Sequence, residues 1–257
     1  MDHVIERPNG ATAMPQIRTV DIARPIEWLR LGYADLVLSR ASSLGFGAFI
    51  AGFGVMLLAL AWGATYLVPA LVGGFLLVAP FAAIGLYAIS KQIETKRRVD
   101  LTQALFAWRR NAGSIALFGL MLALSLILWE RIAAIVFALS YGGTVPDLSA
   151  VMGDVLFSGN YLPLTLAFLG SGALFAAMVF TLSVVTAPLL LDRPVDVVTA
   201  ALTSMRCCLH NPGAMLLWAA LIAGLTVVGF ATFMLGLIVI FPWLGHATWH
   251  AYRDLVN

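Results

Sequence analysis

The sequence predicts an all-α fold, a polytopic membrane helix bundle of about six transmembrane helices, and three observations carry that expectation. Of 257 residues, 61% are hydrophobic and 11% are charged, with a mean hydropathy of +0.95; soluble domains carry about 25% charged residues. Apolar runs of spanning length recur along the chain. Nearly all Lys and Arg lie in alternate connections, the pattern by which multi-pass chains fix their orientation.

The chain opens on a polar tail, residues 1–23, in which Pro, Arg, Asp and Glu interrupt any apolar core that a cleaved signal would need. A single transmembrane domain over 24–257 is expected to follow. A spanning helix needs about 20 apolar residues. The runs Leu44 to Trp62, Tyr66 to Ser90, Ser114 to Leu139 and Tyr161 to Leu191 meet that need. From Gly213 to Tyr252 the chain stays apolar for about 40 residues, roughly 60 Å of straight helix, which is twice the hydrocarbon thickness. That run should therefore fold back as a helical hairpin, turning near Gly229 or between Thr232 and Gly236. With six spans, every Lys and Arg except Arg131 falls on one side of the membrane. Both termini are then expected to be cytoplasmic.

An internal repeat supports six. Arg24-Pro25-Ile26-Glu27 recurs as Arg97-Arg98-Val99-Asp100 and as Arg193-Pro194-Val195-Asp196. Each copy precedes a short amphipathic stretch and then a span. Ile26, Leu29, Tyr33 and Leu36 match Val195, Val198, Leu202 and Met205 at one helical spacing. The second span of each unit carries a proline, Pro80, Pro188 or Pro242, followed by Lys91, Arg193 or Arg253. The chain thus reads as three units, about 24–92, 97–191 and 193–254, each an interfacial helix plus a helical hairpin. The interfacial helices should lie in the headgroup layer, with Arg30, Arg40, Arg109 and Arg110 free to meet lipid phosphate. Small residues at Ala48, Gly52, Gly170 and Gly172 would permit close helix contact.

Two sets of side chains could carry chemistry. Glu130 and Arg131 are charges inside the third span, where ionisable groups are expensive; beside Trp129 near an interface the expected role is structural or interfacial, and the alternative is a pore or coupling role. His246 and His250 lie on nearly one face of the last span. The start of span five, at the same membrane level, holds Cys207, Cys208 and His210. Imidazole and thiolate suit zinc, copper or haem iron, so these five are candidate ligands. Against that, the chain lacks H-E-x-x-H, C-x-x-C and C-x-x-C-H, and interfacial histidine is ordinary. The expectation is a polar rim, with no catalytic residue and no cofactor. The adjacent cysteines make no disulfide framework.

The terminal stretch from Gly236 to Leu255, GLIVIFPWLGHATWHAYRDL, with Trp129-Glu130-Arg131-Ile132-Ala133 and the Arg-Pro openings, resembles an uncharacterised family of bacterial integral membrane proteins. That family is a domain-of-unknown-function group, some of whose members are labelled as similar to cytochrome c oxidase subunit I. The resemblance runs from about Arg24 to Asp254 and implies a bacterial inner-membrane protein with no established activity. A haem-copper subunit needs histidine ligands spread over several spans, and four histidines in all do not supply them. The leading expectation is a non-enzymatic accessory, assembly or scaffolding component. The rivals are a small-solute or ion transporter and a metal- or haem-binding membrane protein. Expected partners are the lipid bilayer and another membrane protein or a second copy of the chain, with no nucleic acid.

Overall fold

The computed structural model describes residues 14–61, 82–140 and 162–257. Pro80, the loop at 63–65 and the long loop between spans three and four lie outside the described residues. Among those described, the elements are α1 (Arg24–Leu38), α2 (Arg40–Ala61), α3 (82–94), α4 (Leu101–Leu105), a 3₁₀ turn (Ala107–Asn111), α5 (Ala112–Ser140), α6 (Leu162–Ser183), α7 (Thr186–Asp192), α8 (Val197–His210), α9 (Pro212–Ala231) and α10 (Leu237–Leu255). The protein is an all-α membrane helix bundle. Four described segments are long and apolar enough to cross a membrane: Arg40–Leu57, Ala107–Ile132, Thr165–Asp192 and Pro212–Ala231.

The expected hairpin is present. α9 ends at Ala231, α10 begins at Leu237, and the turn places Phe233 and Met234 at φ 53° and 66°. The Thr232 hydroxyl donates to the Gly229 carbonyl and accepts from the Gly236 amide, both at 2.8 Å. One side chain thus satisfies an orphan carbonyl at the end of α9 and an orphan amide at the start of α10.

Span four is broken where a continuous helix was expected. α6 stops at Ser183 and α7 starts at Thr186. Pro188 falls in the first turn of α7, where its missing N–H costs no helical bond. The Ser204 hydroxyl of α8 inserts at the break: it accepts from the Val185 amide at 3.2 Å and donates to the Thr181 carbonyl at 2.8 Å. Those are the two backbone groups that an unbroken helix would have paired with each other. Within a bundle such substitution is what makes interrupted backbone tolerable. Ser204→Ala should leave the buried Val185 amide unpaired and the Thr181 carbonyl with only the long contact from the Cys208 thiol, at about 1–3 kcal/mol. A thermal melt of detergent-solubilised protein would measure that loss, and the Ser204→Thr protein should retain most of the stability.

The amphipathic segments form as the sequence suggests. Asp196 caps α8, accepting from the Thr199 amide at 2.9 Å and the Thr199 hydroxyl at 2.6 Å. Asp100 caps α4 through the Gln103 amide at 3.0 Å. The Thr199 hydroxyl, helped by the Thr199 amide, holds the Asp196 carboxyl below its ordinary range. A depressed carboxylate contributes stability above its unfolded pKa and loses it as pH falls through the folded value. Asp196→Ala should therefore cost about 1 kcal/mol at neutral pH, and the difference from the parent protein should vanish in acid titrations.

α1 departs from the expected single apolar face. Its buried side is Pro25, Trp28, Gly32, Asp35 and Leu36, whereas Ile26 and Tyr33, at 60% and 52% exposure, face outward. The helix is therefore apolar on two sides. One packs on the protein and the other is left for lipid.

Candidate functional site

α10 is the strut along which α1 and α2 lie antiparallel. Arg24 and Trp28 both reach Asp254, at 2.5 and 2.7 Å, and Trp28 stands edge-on to Trp218 of α9 at 5.7 Å. One turn on, Gly32 lies so close to Ala247 that a Cβ would stand 2.5 Å from its backbone nitrogen. Beyond the one-residue joint at Ser39, Gly47 of α2 lies against the carbonyl of Ile238; a Cβ there would collide with that oxygen. Pro242 cannot donate to the Ile238 carbonyl, four residues back. Gly47 therefore fills the place left by the missing helical bond, a contact that only a residue without Cβ permits. Of the small residues singled out from sequence, Gly52 and Gly170 have nothing within 4 Å, and Gly172 meets the ring of Trp129. The closest helix approaches are at glycines that spacing did not mark.

Between these two glycine contacts lies a buried polar network. His246 is 0% exposed. Its Nδ1 is 2.7 Å from the Ser90 hydroxyl of α3 and its Nε2 is 2.8 Å from the Ser43 hydroxyl of α2. Ser90 also contacts the Asp35 carboxylate at 2.7 Å, and His250 Nε2 reaches the same oxygen at 2.9 Å. Ser39 links Ser43, at 2.7 Å, to the Asp35 carbonyl, also at 2.7 Å. Four helices thus meet at one imidazole and one carboxylate. Asp35, Ser39, Ser43 and Ser90 are all buried, and none of the four stands among the candidates that the sequence offers. A signal was present: Asp35, Ser39 and Ser43 are spaced by four, a polar stripe entering an apolar span, like His246 and His250 opposite.

The expectation of rim histidines is corrected for His246, which lies inside the bundle. The five candidate ligands do not share one set of partners. Cys207 is wholly buried in the apolar core, Cys208 Sγ sits 4.0 Å from the Thr181 carbonyl, and His210 Nδ1 is 2.9 Å from the Arg206 carbonyl. Burial pushes the Cys207 thiol up to about 12 and the Cys208 thiol up to about 11. Among the described residues no group of three or more His, Cys, Asp and Glu side chains is placed to hold a metal ion. Glu130 and Arg131 lie apart from the network on α5, half-buried and exposed respectively. Lys91, Arg193 and Arg253, matched in the repeat, gather around Asp192 and Glu94 at the C-terminal end of the strut, beside Asp254. Lys91 approaches Asp192 at 2.6 Å and Arg253 approaches Glu94 at 2.9 Å, while Arg193 stands 3.9 Å from Asp192. Tyr252 also donates to Asp192, at 2.6 Å.

Two apolar clefts, of about 720 and 740 Å3, flank α3, one toward α2, α4 and α5, the other toward α5, α6, α9 and α10. None of the network's residues lines either. The network is closed on its own contacts, and the clefts are walled by aliphatic and aromatic side chains.

Bundles with apolar flanks, buried polar joints and amphipathic edge helices are membrane architecture, and the family comparison agrees. Residues 67–192 match the family described as "Predicted integral membrane protein (DUF2189)". The DUF2189 match bears out the resemblance to an uncharacterised integral membrane family, over just under half of the chain. It includes Ser90 and the Trp129-Glu130-Arg131 segment, and ends before the histidines of α10. Nothing in it carries the oxidase label. Neither the curated proteins nor the solved structures contain a match.

Proposed function

We propose that the protein is a non-enzymatic accessory or scaffolding component of a bacterial inner membrane, with both termini cytoplasmic. The observation that supports this reading is the pairing of a closed polar network with open amphipathic edges. The buried ionisable groups are occupied by one another. Meanwhile Ile26, Tyr33 and Leu38 of α1, and Leu105, Phe106 and Trp108 at the α4 junction, remain exposed. Arg109 lies over the rings of Phe106 and Trp108 at 4.3 and 5.7 Å, so its aliphatic stem and charge sit together on an apolar surface. Basic and aromatic side chains so arranged suit the headgroup layer, on the side to which Lys and Arg are retained. The elements held at that level would present a fixed surface to a membrane partner or to a second copy.

Purification in mild detergent after crosslinking in the membrane should recover a stoichiometric membrane partner or a homo-oligomer. Repeated recovery of the monomer alone contradicts the reading. Reporter fusions at residues 1 and 257 should both report the cytoplasm. A transporter reading has one observation in its favour, the buried Asp35 and His246 themselves, since ionisable groups within membrane bundles commonly mark ion paths. Solute or ion flux in proteoliposomes that disappears in Asp35→Asn would favour it over scaffolding.

A further inference from the structure

Five contacts tie Asp35 to His246, and they must share a limited stock of hydrogens. They run from the Asp35 carbonyl to Ser39, Ser39 to Ser43, Ser43 to His246 Nε2, His246 Nδ1 to Ser90, and Ser90 to the Asp35 carboxylate, all between 2.7 and 2.8 Å. Each needs one hydrogen, because oxygen and nitrogen atoms this close without one would oppose lone pairs. The hydroxyls of Ser39, Ser43 and Ser90 bring one each, and a neutral imidazole brings one more. The stock is then one short of the contacts. Water does not make up the difference, since Ser43 and His246 are 0% exposed and Ser90 is 1% exposed.

A second proton on the ring closes the count. Nε2–H then donates to Ser43, Ser43 to Ser39 and Ser39 to the Asp35 carbonyl, while Nδ1–H donates to Ser90 and Ser90 to the carboxylate. We propose that Asp35 and His246 form a proton-binding site, in which His246 is held as an imidazolium balanced across Ser90 by the Asp35 carboxylate. Burial alone would strip that proton from the ring. The carboxylate one hydroxyl away and the one-way run of hydroxyls from Nε2 oppose the loss. His250, whose side chain is 20% exposed, touches the same Asp35 oxygen and gives the proton a path to the outside.

The other charges on the surrounding helices are already matched or face away. On α10 itself, Asp254 pairs with Arg24 and Arg253 with Glu94 of α3. Lys91 of α3 pairs with Asp192 of α7, Glu27 and Arg30 of α1 pair with each other, and Arg40 of α2 is exposed. α9 carries no ionisable side chain. Proton release would leave one of the five contacts without a hydrogen, and every way of sharing the remaining four among them strands a contact that Asp35 or Ser39 makes, or one of those on the ring. Occupancy therefore sets how tightly α1 is held.

The test is ¹⁵N NMR of the full-length protein labelled on histidine and reconstituted in nanodiscs, with the His246 signals assigned by their loss in His246→Gln. The expected result at neutral pH is a ring protonated on both nitrogens. Ser43→Ala or Ser39→Ala removes two contacts and one hydroxyl, so a neutral ring then suffices, and either variant should return His246 to the neutral form. Thermal stability should fall as pH rises through release of the proton, and that dependence should flatten in the same variants. A neutral His246 beside a protonated Asp35 carboxyl, read by infrared difference spectroscopy, meets the same hydrogen count without an imidazolium and overturns the assignment. A neutral His246 beside an ionised Asp35 in the unsubstituted protein overturns it.

Discussion

Gly47→Ala is expected to unseat α2 from α10. The added Cβ would collide with the backbone carbonyl of Ile238, and a backbone atom cannot swing aside as a side-chain tip can. Elsewhere in a helix, replacing Gly by Ala stabilises by about 0.5–1 kcal/mol. Here that gain is overwhelmed, because overpacking a close contact costs about 1–3 kcal/mol and sometimes more. Gly32→Ala, facing the Ala247 backbone, should behave alike. Gly52→Ala is the control: it lies on the same helix as Gly47 with nothing within 4 Å, and should be neutral or mildly stabilising. Size-exclusion profiles and tryptophan-fluorescence melts in detergent would separate the three. Equal behaviour at positions 47 and 52 would show that the α2–α10 contact is looser than described.

Asp35→Ala is the second large effect. It leaves Ser90 and His250 without the carboxylate oxygen they share, and removing one partner of a buried, hydrogen-bonded charge costs about 3–5 kcal/mol. His246→Ala removes the hub of the same network and should cost a comparable amount. His250→Ala should cost far less, since its side chain is partly exposed and pairs reached by solvent contribute at most about 1 kcal/mol. The double variant Asp35→Ala/His246→Ala should be much less than additive, because residues in one hydrogen-bonded network couple strongly.

The bundle was legible because lipid as a solvent imposes length and apolarity on each span, and basic residues mark its faces. Length alone located the turn between α9 and α10. The break at Val184 and Val185 was not legible in the same way: Pro188 marks its neighbourhood, but the hydroxyl that repairs the backbone comes from Ser204 on another helix. The network escaped notice for a related reason. Asp35 reads as the polar side of an amphipathic helix, Ser39 and Ser43 as a helix joint, and Ser90 as one more small residue in a span. Only when α1, α2 and α3 are laid on α10 do these side chains meet His246. Glycine posed the converse problem, because it is common in spans and only tertiary placement tells Gly47 from Gly52. The paired histidines were conspicuous in sequence, and their spacing placed both on one face of α10. What it could not supply was the face they meet.

The central claim is that α1 is latched to α10 through Asp35 and His246 while its outer face meets lipid. Hydrogen exchange by mass spectrometry on the nanodisc-embedded protein tests it most directly. The account predicts that residues 28–38 are protected to nearly the level of α10 and that His246→Ala releases them while leaving α5 and α9 unchanged. Rapid exchange of α1 in the unsubstituted protein, or equal protection with and without His246, would contradict it.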